Sequence, residues 1–375
     1  MHLNETRYWP VAKAALALLG CAALVLLAVC VLIPAFKNRV VPAAAPGEPA
    51  PRQTVQPPQA GPDLSLSAAE SLQGAVPQTV LLAAAAGVEA LADPFVFGRE
   101  ILFAAGADTA HLTRLVRVDP VTGAVTELAA ERVHDALRNP CEDEAYAVYF
   151  DAKAAGGGTV RALNKQTGEI SAVCAVASGM PRLYLESPYL AFCERVSADA
   201  ARLCVWNLST GENVALAMFT DPAYASSAPC IDGGAVYFVD AAGDGGGLSV
   251  NRSVRLSDGA ASEYAPNTYV HSPQAGGEEI AWLTGNRGDD SDLYLRKDGD
   301  AVRIARGVVD FALASGYLAY SRDETVFACA LENGRTHVLS AAGSSAQLAA
   351  AGEGLILWRD LTDTDRPLWK YILIG

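Results

Sequence analysis

The sequence is short of positive charge. Lys and Arg number 28 against 42 Asp and Glu, a formal net charge of −14. A chain with that balance is a poor ligand for nucleic acid, whose phosphates demand basic patches, so its partners are expected to be neutral or cationic. It also lacks contiguous catalytic signatures: there is no G-x-S-x-G, H-E-x-x-H, Walker-type loop or EF-hand pattern. Its cysteines avoid the C-x-x-C spacing of zinc sites and thioredoxin-like centres. His111, His134, His271 and His337 share no metal-ligand spacing and are expected on surfaces or loops.

One long apolar run is present. Ala14 to Phe36 carries no charged side chain and is long enough for a bilayer core of ~30 Å. A cleaved signal peptide is the alternative, but its apolar region is normally only ~7–15 residues and ends at a small-residue site; Ala43-Ala44-Ala45 lies too far beyond the run. A lipoprotein signal ending at Cys21 is weaker still, because the apolar run continues past it. Arg7 and Lys13 before the span are balanced by Lys37 and Arg39 after it, so charge does not set the orientation. The expected organisation is a short cytoplasmic head (1–13), a transmembrane signal anchor in the lipid bilayer (14–36) and a Pro/Ala-rich spacer (37–62) with no material for a core. A short helix or connector (63–78) follows, opened by the capping box Ser67 to Glu70, and then a folded domain (79–375) outside the cytoplasm.

A turn is written repeatedly in that domain. "DPVTG", "NKQTG" and "NLSTG" end at Gly123, Gly168 and Gly211, and related turns end at Gly259, Gly299 and Gly334, with spacings of 45, 43, 48, 40 and 35 residues. Asn, Asp, Ser or Thr before Gly suits a tight hairpin, since Gly accepts the positive φ that the turn requires. In step with them run "ILF", "VYF", "LAF", "VYF", "IAW", "LAY" and "ILW", ending at Phe103, Phe150, Phe192, Phe238, Trp282, Tyr320 and Trp358. Alternating runs such as "RLVRV" and "DLYLR" favour β-strand over helix. With an innermost strand before each aromatic, the repeat has four strands in ~40 residues, the unit of a propeller blade.

There are seven aromatic landmarks but six glycine turns. The seventh repeat stops at Gly375, where its hairpin would begin, while "TVLLAAAAG", Thr79 to Gly87, stands at the start of the domain without a blade of its own. The expected fold is therefore all-β: a seven-bladed propeller of four-stranded blades, preceded by one transmembrane helix and closed by an N-terminal outer strand that removes an exposed sheet edge. "LTRLVRVDPVTGAVTEL" and "LCVWNLSTGENVAL" resemble blades of the TolB-like bacterial surface propellers. The resemblance implies architecture over residues 79–375 and no particular activity. Gly-His and Trp-Asp marks, Tyr-Trp-Thr-Asp marks and the sialidase Asp-box are absent.

In a propeller, the loops from second to third strand and those between blades share one face. On it are expected "DAAGDGGG", "GNRGDDSD" and "DLTDTDRP", gathering Asp240, Asp244, Asp289, Asp290, Asp292, Asp360, Asp363 and Asp365 into an acidic rim. Such a rim could draw a cationic partner or hold Ca²⁺; alternatively, Asp is there because it makes turns. No other cofactor is expected. Cys193 and Cys204 flank a short loop and could bridge in an oxidising compartment, with buried free thiols as the alternative. The functional expectation is a binding or scaffold module for a protein or cell-envelope polymer; the alternative is a lyase or hydrolase acting on envelope carbohydrate from the channel mouth.

Overall fold

In the computed structural model the described residues are 76–80, 88–219, 221–242, 248–285, 291–297, 299–314, 316–365 and 367–374, all within the compact unit Val55–Gly375. The apolar run, spacer and capping box lie outside them. Among the described residues no helix is long and apolar enough to cross a membrane.

Seven four-stranded antiparallel sheets succeed one another along the chain. Blade 1 comprises Ala90–Phe97, Glu100–Gly106, Leu112–Val118 and Val125–Leu128. Blade 2 runs through Ala136–Glu142, Tyr146–Ala152, Gly158–Asn164 and Ile170–Val176, and blade 3 through Tyr184–Glu186, Tyr189–Arg195, Ala201–Asn207 and Glu212–Met218. Blade 4 has Cys230–Asp232, Ala235–Ala241, Ser249–Arg255 and Ala261–Thr268; blade 5 has Val270–Gly276, Glu279–Thr284, Asp292–Lys297 and Asp300–Ala305. Blade 6 has Asp310–Ala314, Tyr317–Arg322, Thr325–Ala330 and Thr336–Val338. Blade 7 takes Ala346–Gly352, Leu355–Asp360 and Leu368–Leu373 from the C-terminus and Gln78–Thr79 from the other end of the chain. First strands touch their neighbours in order around the ring, blade 7 meeting blade 1.

The repeated turn does the work its composition implies. Gly123, Gly168, Gly211, Gly259, Gly299 and Gly334 all have positive φ, between 69° and 93°, and each sits between third and fourth strands. Asp119, Asn164 and Asn207 accept, at Oδ1, the backbone N–H groups two and three residues on. The aromatic landmarks lie on second strands, and all seven are buried. A second strand is covered by a neighbouring blade on both faces, so it reads as a continuous apolar run: every residue of Tyr146–Ala152 is buried. Fourth strands form the rim, and neither Val125–Leu128 nor Thr336–Val338 buries a residue. The apolar clusters accordingly lie between blades, as with Phe150 and Phe192 packing blade 2 on blade 3.

Closure occurs as expected, with a corrected boundary. The pairing strand is Gln78–Thr79, opposite Tyr371 and Lys370, and Val80 N–H continues it to the Trp369 carbonyl at 2.9 Å. The closing strand therefore begins one residue before Thr79, and residues 81–87 lie outside the described set. Gln78 is polar yet belongs to the strand because the Tyr371 hydroxyl donates to its Oε1 at 2.9 Å.

On the face carrying the turns between first and second strands, successive blades are tied by carboxylates. Asp143 of blade 2 accepts Ser187 N–H at 2.8 Å. Glu186 of blade 3 accepts Gly233 N–H at 3.1 Å, and Asp232 of blade 4 accepts Gly277 N–H at 3.0 Å. Burial, with Glu186 nearby, raises the Asp232 carboxyl above its ordinary range.

Candidate functional site at the channel mouth

The first strands line the channel, and three of them are broken in the same way. Asp93, Asn139 and Ser272, each followed by proline, have φ of 50°, 46° and 54°. At each the ladder slips: between Ala92 and Phe95, Arg138 and Cys141, and His271 and Gln274. Proline cannot donate to the ladder and disfavours helical backbone before it, so the chain bulges where an edge strand can tolerate it. Left-handed backbone in such residues costs on the order of 1–3 kcal/mol and marks places the surroundings over-determine.

Here the surroundings belong to neighbouring blades and the connections between them. Asn139 N–H donates to Asp93 Oδ2 at 3.1 Å and Asn139 Nδ2 to the Pro181 carbonyl at 2.8 Å. Ser272 N–H donates to Ser227 Oγ at 2.8 Å. Gln274 Nε2 reaches the Phe311 carbonyl while its Oε1 accepts Leu313 N–H. The bulges thus bond blade to blade around the channel. His271, expected on a surface or loop, lies on the first strand of blade 5 and is buried, its ring nitrogens 3.3 Å from Ser272 Oγ and 3.4 Å from Ser291 Oγ.

Of the eight aspartates expected on an acidic rim, five lie among the described residues. Asp240 is a strand residue, 1% exposed and paired with Arg252 at 3.1 Å. Asp292 opens a third strand and pairs with Arg303 at 3.4 Å. Asp360 accepts Thr362 N–H and its hydroxyl, and Asp363 accepts Asp365 N–H, the turn chemistry that was the alternative. Asp244, Asp289 and Asp290 lie outside the described residues. No three His, Cys, Asp or Glu converge as metal ligands among the described residues.

The Cys193–Cys204 bridge is also corrected. Cys193 pairs with Leu203 and Cys204 with Phe192, so the two side chains leave opposite faces of the sheet and belong to different apolar clusters. All six propeller cysteines are free. Burial pushes the thiols of Cys174, Cys204 and Cys230 up to about 12 and those of Cys141, Cys193 and Cys329 up as well. Thiolate is the reactive form, so alkylation of the folded chain should leave these six unmodified, and unfolding without reductant should expose all six to labelling. Two that stay unlabelled after unfolding, read by mass, would restore the bridge.

The same face does carry concave surface, on blades 2 to 6. A recess of about 170 Å³ is lined by Arg182, Ser226, His271, Gln274 and Asp310 among others. It shares Arg182, Ser226 and Ala228 with a groove of about 310 Å³ that runs over Met180, Pro181, Pro222, Pro229 and Arg195. Both arginines are exposed, and the groove lining includes no Asp, Glu or His among the described residues. Its one thiol, Cys193, is buried and has a raised pKa. The groove can therefore hold an anionic group beside apolar side chains, while the recess brings a guanidinium, an imidazole and a carboxylate into one lining.

No protein-family model matches the sequence, and no curated protein matches it. Solved structures share its fold. The β-propeller domain of the Trilobed protease from Pyrococcus furiosus aligns with a TM-score of 0.56 at 13% identity, over 76% of this chain and 95% of that one. An acylaminoacyl peptidase in complex with Z-Gly-Gly-Phe-chloromethyl ketone gives 0.58 at 12% identity, over 76% and 51%. An oligogalacturonate lyase in complex with manganese gives 0.52 at 13%, over 74% and 86%. The chain spans about half the length of the prolyl endopeptidase and the acylaminoacyl peptidase that it matches. At these identities the likeness shows a propeller fold and no more. The P. furiosus propeller is described as having an open velcro topology, whereas here Gln78–Thr79 completes the last blade.

Proposed function

We propose that this chain is a membrane-tethered, extracytoplasmic propeller of the TolB-like kind that binds a protein or cell-envelope polymer through the face carrying the second-to-third and inter-blade loops. The observation that carries the reading is the groove beside Arg182 and Arg195: it offers recognition chemistry, two guanidinium groups over apolar walls, without an acid–base or nucleophile pair in its lining. The tether rests on the uncharged run Ala14 to Phe36. Protease added to intact cells is expected to remove the propeller while leaving cytoplasmic markers whole. Cleavage that requires lysis would reverse the orientation.

A second reading, a lyase or hydrolase for envelope carbohydrate, is favoured by the recess whose lining includes Arg182, His271 and Asp310 and by the oligogalacturonate lyase among the structures of like fold. Incubating the full-length protein with envelope polysaccharide separates the two. Stoichiometric, reversible retention of intact polymer fits binding; release of shortened products over many turnovers would replace it with catalysis.

A further inference from the structure

We infer that the Arg182–Arg195 groove is a docking site for an extended peptide segment of a partner protein, one with an acidic side chain flanked by apolar ones. The inference rests on the binding reading above and names the occupant of that site.

Charge selects the occupant first. In a chain with 42 acidic residues, the groove gathers two arginines and no carboxylate among the described residues. Arg182 makes no hydrogen bond or ion pair within the described residues, and Arg195 donates only to the Ala198 carbonyl of its own loop, at 3.4 Å. A guanidinium fork is built to hold a carboxylate at two points. Burying the arginines against an anionic segment would therefore cost the fold no existing ion pair.

The walls select the rest. Met180 is 60% exposed and Pro222 is half-buried, while Pro181 and Pro229 lie buried beneath the groove as rigid backing with no N–H to satisfy. Preformed walls lower the ordering cost of binding, and a thioether adapts to varied apolar side chains. The groove lining has no Phe, Tyr or Trp among the described residues, so a sugar ring would find no aromatic face to lie on. Gly179, at φ 78°, turns the connection between blades 2 and 3 so that Met180 and Arg182 both line the groove.

The test pans a displayed library of random short peptides on the full-length protein in detergent. Selected sequences should be enriched in Asp or Glu beside apolar residues. One of them, synthesised with a fluorophore, should bind at least about tenfold more weakly when its acid is replaced by the amide, and about tenfold more weakly to Arg182→Ala or Arg195→Ala. Arg182→Lys should recover part of the loss, and added salt should weaken binding. Melting temperatures of the variants should match the parent, since neither arginine holds the fold together. Selection with no acidic bias, or equal binding to the Arg182→Glu/Arg195→Glu double variant, would overturn the proposal. Arginine-dependent binding of a galacturonate oligosaccharide in place of any peptide would overturn the occupant and keep the binding reading. Retention of intact envelope polymer by the double variant would sink the groove and leave that reading standing elsewhere on the face.

Discussion

A chain that begins at residue 81 is expected to unfold at a much lower denaturant concentration than one that begins at residue 77, although the two differ by four residues. Those residues include the whole described outer strand of blade 7. Gln78 and Thr79 pair with Tyr371 and Lys370, Lys370 Nζ donates to Thr79 Oγ1 at 2.7 Å, and Val80 is 7% exposed in the cluster shared by blades 7 and 1. Burial of one valine is worth about 1.5–3 kcal/mol, and each hydrogen bond about 0.5–1.5 kcal/mol. With the Val80–Trp369, Lys370–Thr79 and Tyr371–Gln78 bonds all lost, the cost reaches several kcal/mol against a typical stability of ~5–15 kcal/mol. The bared edge of Leu368–Leu373 should also promote association. Equal unfolding midpoints would mean that the termini do not share a blade.

The second large effect is expected at Asp151. Its carboxylate is fully buried at the end of the second strand of blade 2. It accepts Val133 N–H and His134 N–H at 2.9 Å and Arg161 Nε at 3.1 Å, pinning the connection from blade 1 to blade 2. Asp151→Ala leaves two backbone donors and a nearly buried guanidinium without that acceptor, while Glu131 at 3.0 Å still holds Arg161 from the solvent side. Removing one partner of a buried pair costs about 3–5 kcal/mol, and the urea midpoint should fall accordingly. Asp151→Asn, which keeps an acceptor oxygen, should cost less. A midpoint for the alanine variant within about 1 kcal/mol of the parent would show that the pair does not hold the connection.

The fold was legible because its signals are local and repeated. A turn such as Asp119 to Gly123 is stabilised by its own side chains, and a second strand such as Tyr146–Ala152 is apolar throughout because a blade lies on each side. The strand boundary was less legible because Gln78 and Thr79 are polar and are held by side chains nearly the whole chain away. The bulged first strands had a visible mark, Asp-Pro, Asn-Pro and Ser-Pro, whose prolines stand nine or ten residues before Phe103, Phe150 and Trp282. Pro and Gly around His271 read as a loop, yet a first strand is an edge facing the channel and tolerates them.

The residues of the candidate groove were not legible in the sequence. Aspartates in polar stretches look alike in sequence, whether they cap a turn, as Asp360 does, or neutralise an arginine across a strand, as Asp240 does for Arg252. The two arginines of the groove lie on different strands or connections of the chain, with nothing between them that announces proximity. Net charge points the wrong way, because an acidic total conceals a local basic groove.

The closing strand also imposes an order on synthesis. Thr79 meets Lys370 across a separation of 291 residues, whereas every other blade pairs strands that follow one another in the chain. At ~5–20 residues per second, the first strand to be made waits roughly 15–60 s for its partner. Six blades can assemble from local contacts in that interval, but the seventh depends on the longest loop closure in the domain. The ring is therefore finished only after Leu368–Leu373 has been made, and until then residues 78–80 and the growing edge must each be kept from pairing with anything else.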